Sequence, residues 1–279
     1  MTGSPAIEDD SGWARGDRPW RHASFPRTTA IALSFLFPAL NAVVAQTPTA
    51  HPRPEPVVEL LPFSDVQAAS GVDFHYESGA KGKHHLPEIM GGGVALLDAD
   101  GDGRLDIYLC NGDPLDDPDE QVDQTPCRLY LNRGDWKFED VTERAGAPGP
   151  RYAMGAAVGD YDGDGHDDLF VTGYRDQRLY RNLGQGQFED VTERAGLVSR
   201  KWTTSAAFAD LDHDGDLDLY VASYVKYEIS SAPYCAAPDG RRDYCGPEDF
   251  PAEPHSLYRN NGDGTFTEIS REAGLDRLE

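Results

Sequence analysis

Aspartates recur in this chain at alternate positions of short glycine-rich segments, a spacing suited to gathering carboxylate oxygens around a cation. The segments are DADGDGRLD from Asp98 to Asp106, DYDGDGHDD from Asp160 to Asp168 and DLDHDGDLD from Asp210 to Asp218, all of the form D-x-D-x-D-G-x-x-D. In a tight loop, carboxylates at positions 1, 3 and 5 converge, position 7 offers its backbone carbonyl and position 9 closes the shell. The expected ligands are Asp98, Asp100, Asp102, Arg104 and Asp106 in loop 1, and Asp160, Asp162, Asp164, His166 and Asp168 in loop 2. In loop 3 they are Asp210, Asp212, Asp214, Asp216 and Asp218. Dense carboxylate shells favour calcium, which accepts six to eight oxygens flexibly, over magnesium, which keeps its waters. About three Ca2+ sites are expected. The competing reading is a set of solvated turns, since Asp and Gly are ordinary turn residues. Three such loops in register would concentrate negative charge in small volumes that only counter-ions relieve.

These loops are not EF-hands, which need a glutamate at position 12 and flanking helices. Position 12 is Leu109, Val171 or Val221, inside the runs LDIYL, DLFV and LDLYV that read as strands leaving the loop. Small residues dominate the entering strands, as in Gly93-Val94-Ala95, Ala156-Ala157-Val158 and Ala206-Ala207-Phe208. Downstream, FEDVTERAG at Phe138–Gly146 returns unchanged at Phe188–Gly196, with looser copies at Phe266–Gly274 and Phe63–Gly71. A hairpin signature precedes three of them: LYLNRGDWKF, LYRNLGQGQF and LYRNNGDGTF, with Asn132, Asn182 and Asn260 in one register. Tyr130, Tyr180 and Tyr258 share that periodicity and are assigned to packing. Each unit is thus strand, acidic loop, strand, hairpin and outer strand, and the two FEDVTERAG copies begin 50 residues apart. The expected fold is all-β: four-stranded antiparallel β-propeller blades, about three of them, in units near 90–143, 152–193 and 203–271. The TERAG and SREAG pieces predict helical turns capped by Thr142, Thr192 or Ser270 and ended by Gly146, Gly196 or Gly274.

Lysine plus arginine number 25 against 49 acidic residues among 279, a formal charge of -24 that disfavours nucleic acid and anionic membranes as partners. Arg15, Arg18, Arg21 and Arg27 precede an apolar stretch from Ala30 to Leu40 and the small-residue run ending at Ala45, so residues 1–45 read as a secretory signal. That stretch is too short to span a bilayer, and no membrane insertion is expected after cleavage. Residues 46–58 read as a Pro-rich linker, and 59–279 as the repeat region. Secreted, periplasmic or cell-surface placement suits four cysteines, with Cys235–Cys245 and Cys110–Cys127 the favoured disulfides of the three possible pairings.

The loops resemble the FG-GAP and VCBS repeats of integrin α-like propellers. The run from Phe63 is similar to the cartilage acidic protein family, whose members often end in an ASPIC/UnbV domain. The likeness lies in PEIMGGGVALLDADGDGRLDIYLCNG from Pro87 and DYCGPEDFPAEPHSLYRNNGDGTFTEISREAGL from Asp243. It implies an extracellular calcium-binding module for adhesion or contact with a protein or polysaccharide. By residue it supports only the loop aspartates as ligands. Three blades fall short of the four to eight that usually close a propeller, so a partial ring is expected, Phe63–Val66 acting as the outer strand of a preceding blade.

No HExxH, GxSxG, P-loop or GxGxxG fingerprint is present, so no catalytic residue is assigned. The alternatives to a binding module are a calcium-dependent polysaccharide-binding protein or lyase, and a purely structural part of a longer propeller. The insertion from Val225 to His255 carries Tyr234, Arg241, Arg242, Tyr244 and Phe250 and is expected to recognise the partner. His84 and His85, beside Lys81 and Lys83, are expected in a solvated loop.

Overall fold

The computed structural model describes residues 64–115 and 126–276, so the expected signal segment (1–45), the expected linker (46–58) and Phe63 lie outside the described residues. Among the described residues the chain forms three four-stranded antiparallel sheets, each with its strands side by side in sequence order, and one two-stranded ribbon. Sheet 1 contains β1 (Val94–Leu97), β2 (Asp106–Leu109), β3 (Arg128–Asn132) and β4 (Phe138–Asp140). Sheet 2 contains β5 (Ala153–Gly159), β6 (Asp168–Gly173), β7 (Arg178–Asn182) and β8 (Phe188–Asp190). Sheet 3 contains β9 (Thr203–Ala209) and β10 (Asp218–Ser223); a two-stranded ribbon, β11 (Cys235–Ala236) with β12 (Arg242–Asp243), then interrupts it before β13 (Ser256–Asn260) and β14 (Phe266–Glu268). This is the strand order of propeller-like blades, and the acidic loops join the first strand of each sheet to its second.

The small residues of the first strands follow from crowding, because β1 stands against β5 and β5 against β9. A Cβ on Gly155 would lie 2.6 Å from the Thr204 carbonyl oxygen, so the backbones meet there directly. The sheets stack face to face and bury one core in each gap. Ala95, Leu97, Tyr108 and Leu129 of sheet 1 meet Leu169, Val171 and Tyr180 of sheet 2; Phe170 and Leu179 from the other face of sheet 2 meet Leu219, Val221 and Tyr258 of sheet 3. Both faces of β6 are therefore covered, and all six of its residues are buried. The outward face of β1 is open: Val94 is 58% and Leu96 54% exposed, whereas their register counterparts in β5, Ala156 and Val158, pack into the first core. Tyr130, Tyr180 and Tyr258 are buried.

Two local expectations change. Ser64–Val66 do not form a strand; a helical turn, Gln67–Ser70, follows, ended by Gly71 in the left-handed region. The segment nevertheless occupies the place of a preceding unit's tail. A Cβ on Gly71 would meet the Phe138 carbonyl oxygen at 2.6 Å, as one on Gly146 would meet that of Phe188 at 2.7 Å and one on Gly196 that of Phe266 at 3.3 Å. The TERA turn (Thr142–Ala145) does end at Gly146, with φ 76°, but no side chain caps its start. The hydroxyls are used elsewhere: Thr142, Thr192 and Ser270 accept the N–H of Leu129, Leu179 and Leu257 at 3.1, 2.9 and 3.0 Å, pinning each turn to its own hairpin.

The opposite end of the sheets carries a third core, drawn partly from residues at the ends of the blade strands and partly from Leu86 and the insertion after β10. Trp202 lies centrally, in edge contact with Tyr174, Tyr224 and Tyr227 at 5.6, 5.2 and 5.7 Å, and Phe250 packs on Tyr227 at 5.1 Å. His85 is buried rather than solvated, its Nδ1 3.1 Å from the Tyr227 hydroxyl; Tyr244 donates to Glu88 at 3.3 Å. The insertion after β10 is thus anchored in this core by Val225 and Tyr227, with Phe250 packed against them, while most of its other residues are exposed. Its ribbon holds the Cys235–Cys245 disulfide and keeps Tyr234, Arg241 and Arg242 exposed. The expected Cys110–Cys127 bond is not formed: both are buried free thiols, and they hydrogen-bond to one another instead.

Candidate metal centre

Each acidic loop is organised by its first carboxylate. Asp98 Oδ1 accepts the N–H of Gly101 and Asp102 at 2.9 and 3.0 Å, and its Oδ2 that of Gly103 at 2.8 Å. Asp160 accepts from Asp164 and Gly165 at 3.0 and 2.9 Å, and Asp210 from Gly215 at 3.2 Å. The chain must turn through the left-handed region at position 4, where Gly101 and Gly163 have φ 77° and 70° and His213 is held at 64°.

Position 9 ties the loop to its blade. Asp106 Oδ2 accepts the Ala99 N–H at 2.8 Å and its Oδ1 the Asn132 N–H at 2.7 Å. Asp168 bridges Tyr161 and Asn182, and Asp218 bridges Leu211 and Asn260, in the same way. Asn132, Asn182 and Asn260 share a register because each meets this carboxylate from the hairpin. Burial pushes Asp106 up to about 6 and Asp168 up to about 7, against the pull of their two N–H donors and with the added repulsion of neighbouring carboxylates.

The loops gather their carboxylates differently. Asp98, Asp100 and Asp106 bring oxygens within 4.8 Å of one another in loop 1, as do Asp160, Asp162 and Asp168 in loop 2 and Asp210, Asp212 and Asp214 in loop 3. Positions 1, 3 and 9 therefore converge in the first two loops, and positions 1, 3 and 5 in the third. Asp102 and Asp164 are drawn instead to Arg104 and Arg181, while Asp218 stays with its two N–H donors. At position 7, Arg104, His166 and Asp216 donate their N–H to the position-5 carboxylate at 3.0, 3.0 and 2.9 Å. The donor sets suit a hard divalent cation: all are carboxylate oxygens, and two, Asp100 Oδ1 and Asp210 Oδ1, are buried without a hydrogen-bond partner. Cys235, Cys245 and Asp249 also lie together, but the two sulfurs are joined in the disulfide.

Sequence reasoning missed the arginines. Arg133 Nη1 lies 2.9 Å from Asp100 Oδ2, and Arg181 Nε lies 2.7 Å from Asp162 Oδ2 with Nη2 2.8 Å from Asp164 Oδ2. Despite its partial burial, the Arg181 guanidinium and the His166 N–H hold Asp164 below the usual carboxylate range. The available signal was their place in the hairpin signature, directly after Asn132 and directly before Asn182.

The model of the FG-GAP-like repeat matches residues 98–171 and 160–221, two overlapping segments that each run from the start of one acidic loop to the strand after the next. No curated protein matches the chain. Among solved structures, it is similar to an Agrocybe aegerita lectin described as recognising non-reducing terminal N-acetylglucosamine. Identity there is 23% over 62% of this chain and 36% of that one, with a TM-score of 0.30. It is also similar to the exotype rhamnogalacturonan lyase YesX, at 14% identity over 63% of this chain and 37% of that one, with a TM-score of 0.28. The chain thus spans little more than a third of either. No helix among the described residues is long and apolar enough to cross a membrane.

Proposed function

We propose that this chain is an exported, calcium-binding, propeller-like module of the cartilage acidic protein type, acting by binding and not by catalysis. One observation carries the reading: at the same place in three sheets, three carboxylates bring oxygens within 4.8 Å, and two loops leave a buried carboxylate oxygen without any donor. A Ca2+ ion held by Asp98, Asp100 and Asp106, by Asp160, Asp162 and Asp168, and by Asp210, Asp212 and Asp214 supplies the missing positive charge. Asp102, Asp164, Asp216 and Asp218, with the carbonyls of Arg104 and His166, are the remaining candidate oxygens around those shells. Export fits the disulfide, and an extracellular protein or polysaccharide is the partner class. The exposed Tyr234, Arg241 and Arg242, on a ribbon braced by the disulfide, are the residues available to meet it.

The test is calorimetric titration of Ca2+ into the full chain, with thermal unfolding followed in calcium and in chelator. About three equivalents should bind, with dissociation constants of roughly 10⁻⁴ to 10⁻³ M, as in extracellular modules. Each site filled at about a hundredfold excess adds on the order of 2.7 kcal/mol of stability. The absence of both binding heat and a shift in melting temperature would overturn the reading.

A further inference from the structure

The three loops differ in their counter-ions. In loop 1, Arg133 stands 2.9 Å from Asp100 and Arg104 pairs with Asp102; in loop 2, Arg181 spans Asp162 and Asp164 at 2.7 and 2.8 Å. In loop 3, Asp210, Asp212, Asp214 and Asp216 have no ion-pair partner among the described residues. Arg259 holds the register of Arg181, yet it is exposed and makes no ion pair among them. Asp210 Oδ1 is buried there without a donor.

A guanidinium on the ligating carboxylates acts twice. Without metal it offsets their mutual repulsion and keeps the loop closed. When a divalent cation enters, the same charge lies a few ångströms from it and opposes it, so the guanidinium must swing away or its repulsion be overcome. We propose that Arg133 and Arg181 are built-in counter-ions that hold loops 1 and 2 in shape without metal and lower their cation affinity, so that the sites fill in order, loop 3 first. This rests on the calcium reading above and deepens it: a graded response replaces three equal sites.

The experiment is Ca2+ titration of the full chain, followed by calorimetry, for wild type, Arg133→Met, Arg181→Met, Arg181→Lys and Asp212→Asn. Wild type should show one tighter and two weaker sites, and Asp212→Asn should remove the tighter one. Arg133→Met and Arg181→Met should each strengthen one weak site on the order of tenfold, the size of the repulsion between a single and a double positive charge at this range in water. Both should melt lower in chelator. Arg181→Lys keeps the charge and should keep the wild-type order; Arg133→Met, at the exposed edge of the first hairpin, tests the idea independently should Arg181→Met fold poorly. Three indistinguishable sites in wild type, or arginine variants that bind calcium unchanged or more weakly, would overturn this inference and leave the calcium reading standing. A wild type that takes up no calcium would overturn both.

Discussion

The two ends of the sheets are built on opposite principles. At one end, three loops repeat a single plan: a first aspartate collects glycine N–H groups, a ninth receives one donor from the loop and one from the hairpin, and the carboxylates between them face each other. At the other end the repeat contributes only in part: Tyr152 and Trp202 each stand eight residues before their loop's first aspartate and Tyr174 and Tyr224 fourteen after it, whereas Leu86 and the insertion residues Tyr227 and Phe250 lie outside the blades. Trp202, Tyr174, Tyr152, Tyr227 and Leu86 arrive from five separate segments and form one apolar cluster. The first end is polar, and its stability depends on which counter-ion is present; the second is close-packed and indifferent to ions. The contrast separates what the fold needs from what the repeat offers to a ligand.

The sharpest way to break that contrast is to damage the aromatic end and watch the acidic one. Trp202 is 2% exposed and touches three tyrosine rings. Trp202→Ala should cost about 3–5 kcal/mol in denaturant unfolding, while the number of calcium equivalents bound below the transition stays at the wild-type value. Loss of calcium binding in a variant that is still folded would mean that the ends are coupled through the first strands. A smaller effect belongs to the ribbon. Replacing Cys235 and Cys245 together by serine opens a crosslink between residues 10 apart and should cost about 2–3 kcal/mol on the loop-entropy account. Because Tyr227 and Phe250, which flank the ribbon in sequence, remain packed, the loss should come as local unfolding seen by amide exchange at residues 233–246. Exchange spreading to β13 would show that the ribbon supports the blade.

How much of this was legible in the sequence follows the same division. The loops, the four strands of each unit and the left-handed glycines at 146 and 196 could be read because identical residues recur in identical roles, as Asn132, Asn182 and Asn260 do. The third core could not be read as a whole, although Tyr152 and Trp202, and Tyr174 and Tyr224, share registers. Leu86 and Tyr227 are 141 positions apart yet joined by a hydrogen bond, and no periodicity links them. The insertion looked like a recognition loop, and its anchoring through the buried Val225 and Tyr227 was not visible. Arg133 and Arg181 escaped for a related reason: their partners lie across the sheet, and the arginines stand at different offsets from the shared asparagine. Thr142 looked like a cap because its spacing allowed one, but the hydroxyl bonds to Leu129 thirteen residues back, a choice set by the hairpin register.

A last expected effect assigns a titration to one end alone. In protein stripped of metal by chelator, burial holds Asp106 at about 6 and Asp168 at about 7, above their ordinary value of 3.8. The fold therefore binds their protons more tightly than the unfolded chain does. The stability these two groups contribute is full below about pH 4 and is lost as pH rises through 6 and 7. The stripped protein should thus melt at lower temperature at pH 8 than at pH 5, and replacing both residues by asparagine should flatten that slope. In excess calcium the slope should reverse, because the ion takes the deprotonated carboxylates. Trp202→Ala should lower the whole curve and keep its shape. A flattened curve in that variant would place the titrating groups at the aromatic end.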